Sequence, residues 1–433
     1  MIINRVSTER DPARPRSRRW FLGLAGSSAI AAACGGRTGS TPESESESTS
    51  GSAPETPAPT TSGEADSDGS AGSETDLPGV DDFIIVGAGA AGMTAAHLLV
   101  RHGRGVRILE AASTHGGRIR AEFDFVDFPV SLGGEWLIAP ESELADIVSD
   151  PAVPITASVE RYDPASSSGY HDDDVGLVIE PLGEFDYLNF VDGSWLDFFD
   201  DHIVEGIADR MTFDTEVVEI DWTDTVVRLT DASGDVHRSR HAIVTAPLAV
   251  LQRGDIRFVP PLPDDTQSAI DAAVVWGGIK VFVEFTERFY PTFLEFADSD
   301  TRTGQRTYYD AAAHHDTDTA VLGLFAVGTA AEPYQALSGD ALRDHVLAEL
   351  DDVFDGAASR TYVRHVVQDW SAEPFIGQAY LNDHEDPAIP RALATPLGDR
   401  VFFAGDAYTS HDDWGGVDDA AQSARDTVAR IVG

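Results

Sequence analysis

Lysine is almost missing from this 433-residue chain. Of 30 Lys and Arg residues a single one, Lys280, is lysine, leaving 29 arginines. Cysteine is equally scarce: Cys34 stands alone, so no intramolecular disulfide can form, and a zinc site would need other ligands. No apolar run is long enough to span a bilayer. Positive charge is thin as well, with 74 Asp and Glu setting the net charge at -44 and the pI near 4.3. Such a surface repels nucleic acid and acidic membranes, so binding to a DNA or RNA backbone is excluded as a function. What is present is globular: 42% hydrophobic and 9% aromatic residues, in a chain long enough for one or two substantial cores.

The first 34 residues read as an export signal. Arg14, Arg16, Arg18 and Arg19 precede an apolar stretch from Trp20 to Ala33. Ser17-Arg18-Arg19-Trp20-Phe21-Leu22 resembles a twin-arginine signal, and Ala31-Ala32-Ala33-Cys34 resembles a lipobox. A buried N-terminal helix is the alternative, but no folding partner follows for about 40 residues. Residues 35–77 are an acidic Ser/Glu/Pro linker with too little apolar surface to build a core. The expectation is an exported body, lipid-anchored at Cys34 to the outer face of the cytoplasmic membrane. The diffuse acidity and near absence of lysine resemble surfaces from high-salt habitats, where repulsion is screened. Individual carboxylates are therefore read first as surface.

The folded body opens on a nucleotide cradle. Asp82 to Val86 reads as a short buried strand, Gly87-Ala88-Gly89-Ala90-Ala91-Gly92 follows at once, and helical spacing continues from Met93 to Val100. Gly87 permits the tight turn, Gly89 lets backbone reach a pyrophosphate, and Gly92 lets helix and strand pack closely. Ala90 and Ala91 bring free N–H groups to the helix start. The next strand, Val106 to Glu110, ends in a carboxylate placed to accept from ribose hydroxyls.

The following segments separate FAD from NAD. Glu110-Ala111 leads to Gly116-Gly117-Arg118, which can continue along a diphosphate, and Gly133-Gly134-Glu135-Trp136 makes another close backbone approach. Far downstream, Arg400 to Asp406 is an apolar strand ending in Gly405-Asp406, where a carboxylate can accept from a ribityl hydroxyl. The helix beginning at Val417 then points its N-terminus toward phosphate. Two distant segments converging on one extended cofactor specify FAD.

With these residues the chain resembles the flavin-containing amine oxidases, the family of monoamine oxidases, polyamine oxidases and flavin histone demethylases. The resemblance runs from about Asp81 to the C-terminus. It also includes Thr215 to Ile220, Ala242 to Leu251, Ile256 to Pro263 and Trp370 to Tyr380. It implies an α/β fold in which an FAD-binding Rossmann-like (GxGxxG) domain is interleaved with an α+β substrate domain containing a mixed sheet. FAD-binding segments would be 78–150, 205–270 and 366–433, and substrate-domain segments 151–204 and 271–365. Val274 to Glu284 and Ala320 to Thr329 are expected strands, and Gly339 to Leu350 a helix. The family passes the strand containing Val217 beside the adenine, and Trp370 would pack near the flavin.

The resemblance also implies the chemistry: hydride transfer from the carbon next to an amine nitrogen to flavin N5, giving an imine that hydrolyses to an aldehyde. Oxygen, or another electron carrier, would reoxidise the flavin. Lys280, charged amid the apolar strand Gly277 to Phe285, matches the family lysine that holds a water near N5, and its hydrogen bonds could favour a depressed pKa. Tyr380 matches the aromatic beside the flavin face. Ala379 stands where monoamine oxidases attach FAD through cysteine, so FAD is expected to be noncovalent. Trp414, two residues before the usual aromatic position at Gly416, is the candidate second wall of the amine cage.

The expected substrate is a primary amine or polyamine. An L-amino-acid oxidase is the nearest alternative and would need a carboxylate-holding arginine, for which Arg257, Arg288 and Arg364 are candidates. A non-catalytic, FAD-containing surface binding protein is a third possibility. No metal site is expected: His314-His315 lacks spaced acidic companions, and His171 to Asp174 reads as surface.

Overall fold

The computed structural model describes residues 79–137, 140, 142–382, 388–409 and 415–433. The leader, Cys34 and the linker lie outside the described residues, as do His411, Asp412, Asp413 and Trp414. Among the described residues no helix is long and apolar enough to cross a membrane.

Two eight-stranded sheets organise the body. In the first, Asp81–Val86 pairs in parallel with Val106–Leu109 on one side and with Val236–Val244 on the other. Val401–Phe403 also runs parallel to Val236–Val244, so a strand near the C-terminus sits beside the opening motif. Successive side chains on the first strand alternate between two cores, as the pleat requires. Phe83 and Ile85 join a core that includes the helices Ala90–Arg101 and Val417–Val432. Ile84 and Val86 face a second core that includes Leu248–Arg253 and Asp264–Ala272. Ile84 and Ile85 are completely buried, and burying each contributes about 1.5–3 kcal/mol. This double burial explains the unbroken Phe-Ile-Ile-Val run.

The second sheet is mixed. Its order runs Tyr362–Asp369, Gly278–Phe285, Ala320–Gly328, Gly304–Asp310, Phe293–Phe296, Ser167–Asp172 and Gly176–Pro181. Pairing is antiparallel except between Phe293–Phe296 and Ser167–Asp172. The strand Gly278–Phe285 sends Ile279, Val281, Val283 and Phe285 into a core with the helix Gly339–Val353. By the same alternation Lys280 and Phe282 face the other way.

Residues 151–204 divide between the mixed sheet and the first core. Tyr170 and its neighbours enter the second sheet, whereas the helix Trp195–His202 buries Trp195, Phe198 and Phe199 in the first core. Ser194 caps that helix by accepting from the Asp197 N–H.

Candidate active site

One cavity runs from the Gly87 turn to Lys280 and Tyr380. At its first end Gly87 has φ +105, and a side chain there would meet Thr245 Oγ1 at 2.7 Å. That hydroxyl donates to the Val86 carbonyl at 2.8 Å and closes the turn from the neighbouring strand. Gly89 has open space where its side chain would be, on the cavity wall. Gly92 lies beneath, where any Cβ would collide with the Gly87 carbonyl. The helix Ala90–Arg101 has no side-chain cap at Gly89, so the N–H groups at Ala90 and Ala91 suit a diphosphate.

Glu110 stands at the end of Val106–Leu109 and accepts from Ala88 N at 2.5 Å and from Ala112 N at 2.8 Å. Burial pushes its carboxyl pKa up, and the backbone bonds oppose that only in part. Ala111, Gly117, Arg118 and Val217 continue the wall. Arg118 donates to Asp406 Oδ1 at 2.6 Å and to the Ala379 carbonyl at 3.2 Å, clamping three distant segments together. The guanidinium expected to follow a diphosphate is thus already committed to a carboxylate. Gly405 and Asp406 line the same cavity.

Asp406 Oδ2 is buried with no hydrogen-bond partner among the described residues. A buried, unpaired carboxylate oxygen on a cavity wall calls for a donor, and a polyol hydroxyl supplies one. The glycine turn, the uncapped helix start, Glu110 and this oxygen together fit FAD. The helix Val417–Val432 fits less simply. Asp419 in its first turn accepts from the Gly416 N–H at 2.7 Å, so its terminus meets a carboxylate of its own before any phosphate. Val417 instead packs on Gly134, where a Cβ would approach Val417 Cγ2 to 2.6 Å.

At the other end Lys280 is 3% exposed. Its ammonium donates to Glu135 Oε2 at 2.8 Å and to the Ser131 carbonyl at 3.1 Å. Burial pushes its pKa down, and the adjacent Glu135 carboxylate pulls it back. Tyr309 donates to the same Glu135 oxygen at 2.5 Å, and Asn189 approaches Oε1 at 3.4 Å. Trp136 lies edge-on to Tyr309 and donates to the Tyr162 hydroxyl at 3.0 Å. Burial, with the Glu135 charge, holds the Tyr309 phenol well above its usual pKa.

Trp370 is buried, donates to the Leu132 carbonyl at 2.9 Å and carries Arg120 over its ring. Tyr380 reaches the cavity from the two-stranded sheet with Val275–Trp276. Gly415 presses against it: with φ +94, a side chain there would meet the Tyr380 hydroxyl at 2.6 Å. Trp414 falls outside the described residues.

Tyr309, Ser131 and Asn189 carry no motif, and sequence reasoning missed all three. None of the three arginines proposed to hold a substrate carboxylate lines the cavity. Arg257 pairs with Glu219, Arg288 with Asp310 and Arg364 with Glu284. Arg118 and Arg120 do line it, but they pair with Asp406 and Glu373. Among the described residues no three His, Cys, Asp or Glu side chains converge as metal ligands.

A nucleotide sheet, a mixed substrate-type sheet and a shared cavity ending at a buried lysine define a flavoenzyme. Residues 186–432 match the family model for flavin containing amine oxidoreductases, and residues 85–150 match an NAD(P)-binding Rossmann-like domain. The chain belongs to the flavin containing amine oxidoreductase family and is an FAD-dependent enzyme of that class.

Rice polyamine oxidase 3 (Oryza sativa subsp. japonica) is 24% identical over 410 residues, covering 75% of this chain and 84% of that protein. Mouse lysine-specific histone demethylase 1B is 28% identical over 217 residues, covering 48% of this chain. The match takes in 26% of the demethylase, about a quarter of its length. In fold, the chain is similar to a putrescine oxidase solved with putrescine, with a TM-score of 0.67 and 16% identity over 81% of this chain and 99% of that one. It is likewise similar to cyclohexylamine oxidase from Brevibacterium oxydans IH-35A, at TM-score 0.66 and 16% identity over 82% and 99%.

Proposed function

We propose that this enzyme oxidises a small primary amine or polyamine, converting its CH–NH unit to an imine that hydrolyses to an aldehyde, with oxygen as electron acceptor. The observation that carries this is the single cavity joining the Gly87–Gly92 cradle to Lys280 and Tyr380. FAD, when bound, supplies the hydride-accepting chemistry. The chain's own residues supply placement. Gly87, Gly89, Glu110 and Asp406 hold the nucleotide and its polyol, while Trp136, Phe325 and Tyr380 give the substrate end apolar and aromatic walls. These walls exclude water and orient an alkyl amine. Lys280 sets the local charge. With Ala379 rather than cysteine beside Tyr380, no thioether to FAD can form there.

The arginine pairings disfavour an amino-acid oxidase, since neither lining guanidinium is left without a carboxylate. A substrate carboxylate would have to displace Asp406 or Glu373. The buried Lys280 on the cavity wall, together with the complete cradle, argues against a purely structural FAD protein.

The proposal extends to location. Arg18-Arg19, the apolar stretch and Ala33-Cys34 support twin-arginine export, lipid attachment at Cys34 and a body held outside the cytoplasmic membrane on an acidic linker. One acyl chain anchors weakly, so stable attachment needs a multiply acylated cysteine. A net charge of -44 supports a high-salt setting.

Turnover of a panel of alkylamines, diamines, polyamines and amino acids, read as peroxide and trapped aldehyde, tests the activity. Aldehyde and peroxide from amines support it, and turnover restricted to zwitterions overturns the substrate assignment.

A further inference from the structure

We infer that Glu135 is a positioning residue that keeps Lys280 an ammonium, so that Lys280 offers the cavity an N–H donor and not a lone pair. This deepens, and rests on, the amine-oxidase reading.

Hydrogen-bond arithmetic connects charge to function here. An ammonium has three N–H groups, and Ser131 O and Glu135 Oε2 take two of them. The third remains for an occupant of the cavity that Lys280 lines. A neutral amine would have both its hydrogens committed to these acceptors and would turn a lone pair to the same occupant. The protonation state of one nitrogen therefore decides between a donor and a base.

The surroundings settle that state for the cation. Glu135 is 6% exposed, and the donors Lys280, Tyr309 and Asn189 converge on its two oxygens. Such a set engages both of its oxygens with donors. The faces of Trp136, Tyr309 and Phe282 lie 5.1, 5.4 and 5.6 Å from Nζ, an arrangement that also favours a cation.

Among the described residues, the other elements packed around the pair bring no competing charge. The flanking strands place Phe325 and Gln368 opposite Lys280. Burial holds the Tyr309 and Tyr162 phenols protonated and pushes His314 and His315 toward their neutral forms. Asp310, the next ionisable side chain after Tyr309, pairs with Arg288. Against burial, which pushes the Lys280 pKa down, Glu135 is the carboxylate that pulls it back up.

Because Lys280 is the sole lysine, a holoenzyme grown on lysine labelled with carbon-13 at Cε gives one lysine side-chain resonance that needs no assignment. Its shift against pH reads the ionisation of Lys280 directly. The wild-type signal is expected to stay that of an ammonium through neutral pH. In Glu135→Gln its midpoint should fall by ~1–3 pH units, the range for losing an adjacent opposite charge. Glu135→Asp should restore part of the difference, and Tyr309→Phe should change the midpoint less than Glu135→Gln. If Glu135→Gln does not fold, the Asp and Tyr309→Phe variants and the wild-type curve carry the test. A neutral wild-type lysine at pH 7, or one midpoint shared by all variants, overturns the inference. Absence of amine turnover leaves this resonance readable, so failure of the amine-oxidase reading is recognised separately.

Discussion

Replacing Glu110 by Gln should loosen FAD while leaving the body folded. Glu110 is 9% exposed, with Oε2 on Ala88 N–H and Oε1 on Ala112 N–H. A carboxylate with both oxygens so held still has lone pairs for ribose hydroxyls. In the Gln variant one oxygen becomes an NH2 group, which must face either a backbone N–H or a hydroxyl that previously donated. Losing one hydrogen bond to a charged group costs about 1.5–3 kcal/mol, equivalent to roughly a 10- to 150-fold weaker Kd.

Fluorescence titration of the apoprotein with FAD measures that loss. Melting of the apoprotein separates it from damage to the turn, because Ala88 N–H and Ala112 N–H depend on Glu110 even without cofactor. At saturating FAD, kcat should be close to wild type, since Glu110 lies at the opposite end of the cavity from Lys280. An unchanged Kd would refute the assignment of Glu110 to the nucleotide. An apoprotein that no longer folds would show that Glu110 serves the turn instead.

Three further outcomes follow from the same geometry. Gly92→Ala drives a Cβ into the Gly87 carbonyl, so soluble, flavin-containing protein should be lost even with excess FAD during expression. Gly415→Ala, at φ +94 and against the Tyr380 hydroxyl, should raise KM for amines several-fold more than it weakens FAD binding, a split read by steady-state kinetics beside FAD titration. Glu295 in Phe293–Phe296 has its pKa pushed from an ordinary 4.5 up to about 7 by burial, with help from Asp300. A raised carboxyl pKa favours the protonated folded state, so its contribution is complete below pH 4.5 and is lost as pH rises through 7. The swing is of order 3 kcal/mol, and denaturation at pH 4 and pH 8 should show it shrinking in Glu295→Gln.

Much of the cradle was legible because its signals are local. Strand Asp81–Val86, the glycine turn and helix Ala90–Arg101 occupy one continuous stretch, and Gly87 and Gly92 each have a steric reason at the place the spacing assigns them. Lys280 was legible for a different reason, as the one lysine in an arginine chain and a charge in an apolar strand. Its partners were not. Tyr309 lies 174 positions from Glu135, and Asp406 lies 288 from Arg118. Such contacts arise from how distant segments of the chain are brought together, which no periodicity encodes.

Glu135 illustrates the gap most clearly. Its place after Gly133-Gly134 suggested a part of the cofactor cradle, yet its carboxylate is held by Lys280 and Tyr309. Similarly, the acidic composition led carboxylates without a motif to be read as surface, while Asp418 and Asp419 are buried. The helix Trp195–His202 shows the same limit at the level of packing. Its placement in the nucleotide core depends on the chain's path.

Anaerobic mixing of the purified yellow holoenzyme with amines tests the central claim most directly. Bleaching of the flavin absorbance by alkylamines, diamines or polyamines, each at a rate that saturates with concentration, is the predicted result. A flavin that stays oxidised with every amine, or that bleaches only with amino acids, would contradict the assignment.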